Sequence, residues 1–225
     1  MISVKNYGVV EIAGIEIWIT ETIVNTWIVM GILIVLAIIA RSQLKKFKVV
    51  PKGFQNIVEA IIEAFDNFVV NSVGEKYAGI APWFFMVFMF IISSSLFSTF
   101  GLRAPTADWA TTFALALASF VIMVFMGIKY RKTDYLKSLF EPNIIFFPMN
   151  LIGELSKPVS LSFRLFGNVL AGTIILTLYY ALTPYLVQIG IPALMHGFFD
   201  VIMGFLQTYI FVIISLMYVS GAVED

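Results

Sequence analysis

Long stretches without any charged residue are the feature that most constrains this chain. Stretches of 19 to 35 residues separate successive Asp, Glu, Lys and Arg side chains at 22–40, 77–102, 109–128, 165–199 and 201–223. A helix needs about 20 apolar residues to cross a bilayer, so each stretch has room for a span. Of the 225 residues, 60% are apolar and 12% charged, whereas soluble domains have roughly half and a quarter. The sequence therefore predicts an all-α polytopic membrane protein and excludes a water-soluble globular domain.

The same composition argues against several kinds of chemistry. The chain has no Cys and one His, so we expect no disulfide, no thiolate ligand and no metal site. It has no Gly-rich phosphate loop of the Walker type, and its net charge of zero gives no indication of a nucleic-acid partner. We therefore expect no cofactor and no catalytic activity from this chain alone.

Clusters of basic residues orient the predicted spans. The first span is followed by Arg41, Lys45, Lys46, Lys48 and Lys52, and the third by Lys129, Arg131, Lys132 and Lys137. Because cytoplasmic loops are enriched in Lys and Arg, both loops are predicted to be cytoplasmic. About five membrane segments then place the N-terminus outside and the C-terminus in the cytoplasm. Acidic rather than basic residues precede the first apolar run, which therefore reads as a retained helix and not as a signal peptide.

We expect a single membrane domain over 1–225. Its predicted parts are an external segment (1–22), a first span (23–40), an amphipathic helix (53–73), a helical hairpin (82–128) and a long tilted hairpin (144–220). The amphipathic helix is predicted to lie along the cytoplasmic interface, with packing on a soluble partner as the alternative. A continuous helix from Met149 to Leu182 would be about 50 Å long, against a hydrocarbon core of about 30 Å. It must be tilted, kinked or partly parallel to the membrane.

Arg164 is the charged residue that most needs an explanation, because it lies among Leu and Phe residues far from any downstream charge. An Arg at the centre of a span costs about 3 kcal/mol on insertion scales. At 100° per residue, Lys157, Ser160, Asn168 and Ala171 fall within about 40° of it. This polar face of small residues either packs closely on another helix or forms a surface past which a helix moves. Snorkelling, or a structural pair with Asp200, is the other explanation of Arg164.

A second polar stripe lies on the last apolar segment. His196, Gly204 and Gln207 lie within about 40° of Asp200 on a helix. These groups could line an aqueous half-channel, or they could form a hydrogen-bond network that only holds helices together.

These residues resemble a known family. The stretch 158–172, PVSLSFRLFGNVLAG, resembles the motif of the a subunit of F-type ATP synthases. Three further stretches are similar to motifs of that family: 101–108 (GLRAPTAD), 148–154 (PMNLIGE) and 206–211 (LQTYIF). The similarity runs from about residue 82 to the C-terminus, whereas the first 80 residues agree only in general plan.

The resemblance implies the membrane stator of the ion channel, with two half-channels for H⁺ or Na⁺ against a rotating ring of c subunits. It implies the essential arginine at Arg164, polar neighbours at Asn168 and Gln207, and a half-channel acid at Glu154. It also implies peripheral-stalk b subunits and lipid as partners, and a multi-pass protein of the bacterial inner (plasma) membrane. Thr173 stands where many relatives have Glu, and Asp200 where many have His or Gly. We therefore hypothesise that the channel carboxylate has moved to Asp200.

The residues alone also allow two other functions, a secondary transporter and a structural scaffold. A secondary transporter also binds substrates with intramembrane Arg and Asp, but it usually shows internal repeats, and none is evident here. A structural scaffold would need Arg164 for assembly and not for ion flux. The Arg-centred motif favours the stator over both, while the choice between H⁺ and Na⁺ stays open.

Overall fold

The structure, a computed structural model, describes residues 6–12, 15–44, 53–184 and 190–224. Lys45, Lys46, Lys48 and Lys52 of the first basic cluster lie outside the described residues. The strands are β1 (Asn6–Ile12) and β2 (Ile15–Thr20). The main helices are α1 (Glu21–Leu44), α2 (Phe54–Val73), α3 (Ala81–Thr99), α4 (Trp109–Arg131), α5 (Thr133–Ser138), α6 (Phe147–Leu182), α7 (Ile191–His196) and α8 (Met203–Val223).

The all-α polytopic fold predicted from the sequence is confirmed. Five segments of the described chain are long and apolar enough to cross a membrane: Glu21–Gln43, Glu75–Thr99, Trp109–Arg131, Ile144–Leu182 and Ile191–Val223. Many of their Leu, Ile, Val and Phe side chains point outward and are exposed, as expected for helices whose solvent is lipid.

A small hairpin precedes α1 and was not predicted. β1 and β2 pair antiparallel, with Val9 opposite Trp18 and Glu11 opposite Glu16. The residues of β2 alternate between apolar and polar or aromatic types, which is the period of a strand. The side chains of Tyr7 and Trp18 are exposed. The hairpin leads directly into α1, so it lies at the end of the bundle where α1 begins.

The core lies where α3, α4, α6 and α8 meet. α4 packs against both α6 and α8, and α3 packs against α8. The interior is filled by large side chains that are almost fully buried, among them Phe84, Met123, Leu165, Phe211 and Leu216. α2 adds Val69 and Val73 to this core, whereas most of the large apolar side chains of its first half are exposed.

The turn between α3 and α4 is held by backbone geometry and by caps. Ala104 is extended (ψ 134°), because the ring of Pro105 disfavours helical geometry in the residue before it. The Asp108 side chain caps α4 by accepting a hydrogen bond from the amide of Ala110 at 3.0 Å. Asn25 of α1 donates to the carbonyl oxygen of Arg103 at 2.8 Å. The first span is thereby fixed to the turn that closes one end of the bundle.

The long helix is continuous. α6 has 36 residues and is about 54 Å long at 1.5 Å per residue, with Pro158 buried inside it. A helix of this length exceeds the hydrocarbon thickness, so it has to tilt or leave the hydrocarbon at one end. Downstream, α7 and α8 are joined by a π-helical turn, Gly197–Ile202, which carries Asp200.

Candidate functional site

The face of α6 around Arg164 is left open by the rest of the described chain. Ser160, Asn168 and Ala171 are exposed on it, and Arg164 is partly buried. A Cβ built on Gly153 or on Gly167 would meet no atom within 4 Å. Small residues often allow close helix packing, but no described part of the chain packs closely against this face at either glycine.

Arg164 itself lacks a partner for part of its guanidinium. Its Nη1 atom is buried and makes no hydrogen bond within the described residues. Asp200 pairs with His196 instead, so the structural pair between Arg164 and Asp200 is not formed. An Arg keeps its proton in proteins, so this group holds a fixed positive charge. Charges inside a membrane are usually paired, yet no carboxylate of the described residues forms an ion pair with Arg164.

Asn168 and Gln207 connect α6 to α8 one helical turn beyond Arg164. The Nδ2 of Asn168 donates a hydrogen bond to the Oε1 of Gln207. Gln207 is buried, and its Nε2 has no partner in the described part of the chain. The structure thus brings together two of the residues that the resemblance assigned to the site, and the Nε2 of Gln207 is a second buried donor without a partner among the described residues.

Asp200 is turned into the bundle by the π-helical turn. Its side chain is 9% exposed, and its Oδ2 lies 2.6 Å from the Nδ1 of His196. The hydroxyl of Tyr180, on the last turns of α6, lies 3.4 Å from the other ring nitrogen, Nε2. Tyr180 was not predicted as a site residue, because a Tyr near the end of an apolar helix forms no pattern.

Two neighbouring cavities run beside these groups. The vestibule, about 440 Å³, is lined by residues that include Glu21, Arg103, Thr177, Tyr180 and His196. The inner cavity, about 30 Å³, is lined by residues that include Ser95, Asn168, Phe199, Asp200 and Gln207.

Ser98, Ala104 and Thr173 line both cavities. Ser95 and Ser98 were given no role from the sequence, yet both contribute hydroxyl groups here. The hydroxyl of Thr173 donates to the carbonyl oxygen of Val169 at 2.9 Å. A path lined in part by polar groups therefore leads from the α1 end of the bundle towards Asn168 and Gln207.

Glu154 lies apart from this group, ten residues and about 15 Å before Arg164 on α6. It forms an ion pair with Lys157, and its Oε2 is buried without a partner among the described residues. Burial, and then the charge of Glu154, raises the pKa of Tyr135 in the α4–α6 connection to about 12. The predicted site residues therefore form two groups, one on each side of Arg164.

The chain is similar to known proteins over most of its length. A model of the ATP synthase A chain family matches residues 23–220. The chain belongs to this family. The ATP synthase subunit a of Trichlorobacter lovleyi is 34% identical over 91% of this chain and 88% of its own length. That of Moorella thermoacetica is 33% identical over 91% of each chain. A relative from Propionigenium modestum, described as sodium ion specific, is 33% identical over 92% of this chain and 75% of its own.

Membership of the family covers more of the chain than the motifs did. The matched range begins at the first span, whereas the resemblance read from the motifs began near residue 82. The family assignment also disfavours the secondary transporter that the charged intramembrane residues alone allowed.

Proposed function

We propose that this chain is the membrane stator of a rotary ATP synthase and that Arg164 is the fixed charge of its ion path. The observation that carries the proposal is Arg164 itself, which is partly exposed on a face of small residues and forms no ion pair with a described carboxylate. An anionic side chain on another subunit would pair with it. A smooth face of this kind suits a partner that moves past rather than one that interlocks.

The partner that fits this face is a ring of c subunits, each presenting one carboxylate at the depth of Arg164. A neutralised carboxylate can face lipid at tolerable cost, while a bare one is stabilised beside the guanidinium. Arg164 would also repel cations and so prevent a direct leak between the two sides. The b subunits of a peripheral stalk and membrane lipid would cover other exposed faces, and the location would be a bacterial inner membrane.

The two groups of polar residues suit two half-channels. One would open through the vestibule, at the α1 end of the bundle, and reach the ring beside Asn168 and Gln207 by way of Thr173 and Asp200. The other would open near Glu154 at the opposite end, with Ser160 on the face between. One elementary charge that crosses a membrane potential of 100 mV releases about 2.3 kcal/mol, so several ions per turn would be needed to drive ATP formation.

The proposal is tested by ATP-driven ion uptake in vesicles that hold the assembled complex, native against Arg164→Ala, with passive leak measured in both. We expect coupled uptake to be abolished and the leak to rise, because the variant removes the barrier between the half-channels. Leu155→Ala is the matched control, since Leu155 is exposed on the opposite side of α6. Coupled uptake retained by an assembled Arg164→Ala complex would overturn the proposal.

A further inference from the structure

Another cavity, of about 360 Å³, lies between the 3₁₀ turn Glu75–Ile80, the start of α3 and the last turns of α4. We call it the lysine cavity, because Lys76 and Lys129 are the charged residues that line it. Lys76 precedes α3 and Lys129 lies near the end of α4, so both lysines lie at the same end of this helical hairpin. No residue of α6 or α8 in the described chain lines the cavity, which is therefore separate from the ion path around Arg164.

The two ammonium groups of the lysine cavity converge on one aromatic ring. The Nζ of Lys76 lies 5.6 Å, and the Nζ of Lys129 5.3 Å, from the ring centroid of Tyr130. The ring of Tyr77 packs edge-on against Tyr130, with 4.7 Å between the centroids. Neither lysine forms an ion pair with a carboxylate of the described residues, and Glu75, the neighbour of Lys76 in the chain, does not line the cavity. Two positive charges held near each other in this way favour the binding of an anion.

The rest of the lysine cavity is apolar. Ile122, Phe125 and Met126 line it on the turns of α4 that precede Lys129, so the apolar lining extends about 10 Å along the helix from the lysine into the predicted span. Trp83 lines it from the first turn of α3. The side chain of Phe125 is 60% exposed, so the cavity opens on the outer surface of the bundle. A ligand with an anionic head and an apolar body matches this change from charged to apolar lining.

We propose that the lysine cavity binds an anionic phospholipid, with its phosphate between Lys76 and Lys129 and its acyl chains along Trp83 and Phe125. Basic pockets between membrane helices on the cytoplasmic side bind lipid headgroups, and the anionic lipids of the cytoplasmic leaflet attract lysines. The basic ends of the helices predict that this end of the bundle is cytoplasmic. Trp and Tyr are enriched at the level of the headgroups, which suits Trp83 and Tyr130. The inference goes beyond the stator function and does not depend on it.

Other occupants would use only part of this cavity. Two lysines that merely extend to the membrane surface would need neither a shared ring nor an apolar lining. A free phosphate ion would pair with the ammonium groups but leave the apolar side chains uncovered. A lipid without net charge would cover the apolar side chains but leave two ammonium groups without a counter-charge. An anionic phospholipid satisfies both parts.

The test counts the phospholipids bound to the purified, assembled complex by native mass spectrometry, over a series of phosphatidylglycerol concentrations in detergent. Phosphatidylcholine with the same acyl chains is the comparison lipid, because it has no net charge. Lys76→Gln/Lys129→Gln removes both charges, and both side chains are exposed, so packing should be kept. The variant should bind one phosphatidylglycerol fewer, or bind it about 30-fold more weakly, because each lysine near anionic lipid contributes a several-fold factor. Millimolar inorganic phosphate should not displace the lipid.

Lys132→Gln/Lys137→Gln is the matched control, because it removes two positive charges at the same end of the bundle and neither residue lines the lysine cavity. It should bind phosphatidylglycerol as the native complex does. Gly79→Leu tests the apolar part with both lysines in place. Gly79 lines the cavity and a Cβ there would meet no atom within 4 Å, so the added side chain should occupy space that the lipid needs and weaken its binding.

Four outcomes would each overturn the lipid site. They are native binding by the variant without the two lysines or by Gly79→Leu, an equal loss in the matched control, equally tight binding of phosphatidylcholine, and displacement of the lipid by inorganic phosphate. The comparison of the two lipids needs no variant, so it decides even if a variant fails to assemble. Failure of the lipid site leaves the stator function untouched, because that function is overturned only by coupled ion uptake in Arg164→Ala.

Discussion

At the scale of single residues, the contact between Asn168 and Gln207 is the most direct link between α6 and α8 beside Arg164. Asn168→Leu and Gln207→Leu each remove one partner of the hydrogen bond. Interhelical hydrogen bonds in membranes contribute about 0.6 kcal/mol on average and at most about 1.7 kcal/mol. We therefore expect a double-mutant cycle on the thermal unfolding of the purified complex to give a coupling energy in that range. The control cycle combines Leu155→Ala with Gln207→Leu and should show no coupling, because Leu155 is exposed on the opposite side of α6.

The outcome separates two roles of this pair. If the bond only joins the helices, the variants should lose stability and keep ion uptake in step with the amount of assembled complex. If the pair also places Asn168 and Gln207 beside the passing carboxylate, uptake per assembled complex should fall several-fold in both variants. A coupling energy of zero would mean that the contact is not made in the assembled complex.

The individual site residues could be predicted from the sequence only in part. Arg164 was identifiable from residue type, because a buried charge in an apolar helix requires an explanation, and Asn168 followed from the helical period. The connection of Asp200 to His196 was also within reach, since the two are four residues apart. Tyr180 was not, because its approach to His196 depends on how the ends of α6 and α7 are packed, and no local pattern encodes that packing.

At the scale of helices, Gly204 sets how closely α8 approaches α3. A Cβ built on Gly204 would lie 2.7 Å from the Cβ of Ser95 and 3.1 Å from its hydroxyl. Gly204→Ala should therefore force the helices apart, at a cost of about 1–3 kcal/mol in the free energy of unfolding. The separation should also widen the inner cavity, which both residues line. Thermal unfolding and ion leak of the assembled complex measure the two effects.

Two variants make this prediction specific. Gly221 lies on the same helix, and a Cβ there would meet no atom within 4 Å, so Gly221→Ala should be neutral or stabilising by up to about 1 kcal/mol. Ser95→Gly removes the atom that Gly204→Ala collides with, so the double variant should recover most of the lost stability. Equal stability of Gly204→Ala and Gly221→Ala would refute the close approach.

The helical elements were largely predictable, and the exceptions have physical reasons. The length of the apolar stretches was enough to predict the spans, because in a bilayer only a helix or a closed barrel satisfies the hydrogen bonds of the backbone. The N-terminal hairpin was not predicted, although Ile15–Thr20 alternates in the manner of a strand. Six alternating residues are a much weaker signal than an apolar stretch long enough to span a membrane. The π-helical turn at Gly197–Ile202 left no mark in the sequence. The turn lies against α3 and α6, and its residue Asp200 lines the inner cavity.

At the scale of the whole molecule, the distribution of basic residues predicts the orientation in the membrane. The hairpin and the start of α1 lie at one end of the bundle. Arg41, Lys129, Arg131, Lys132 and Lys137 lie at the ends of helices on the other side. Because cytoplasmic loops are enriched in Lys and Arg, we predict that the vestibule opens to the outside and that Glu154 lies towards the cytoplasm. This orientation matters for function, because it decides from which side ions would reach Asp200 and from which side they would reach Glu154.

Single cysteines can test the orientation directly, because the native chain has none and so gives no background labelling. Tyr7→Cys and Lys137→Cys both replace exposed residues; the ion pair of Lys137 with Asp134 is on the surface, so its loss should cost little. In intact cells a membrane-impermeant maleimide should label Tyr7→Cys, whereas Lys137→Cys should react only after permeabilisation. The reverse pattern would invert the half-channels: the vestibule would then open to the cytoplasm, and ion entry during ATP synthesis would have to be assigned to the side of Glu154.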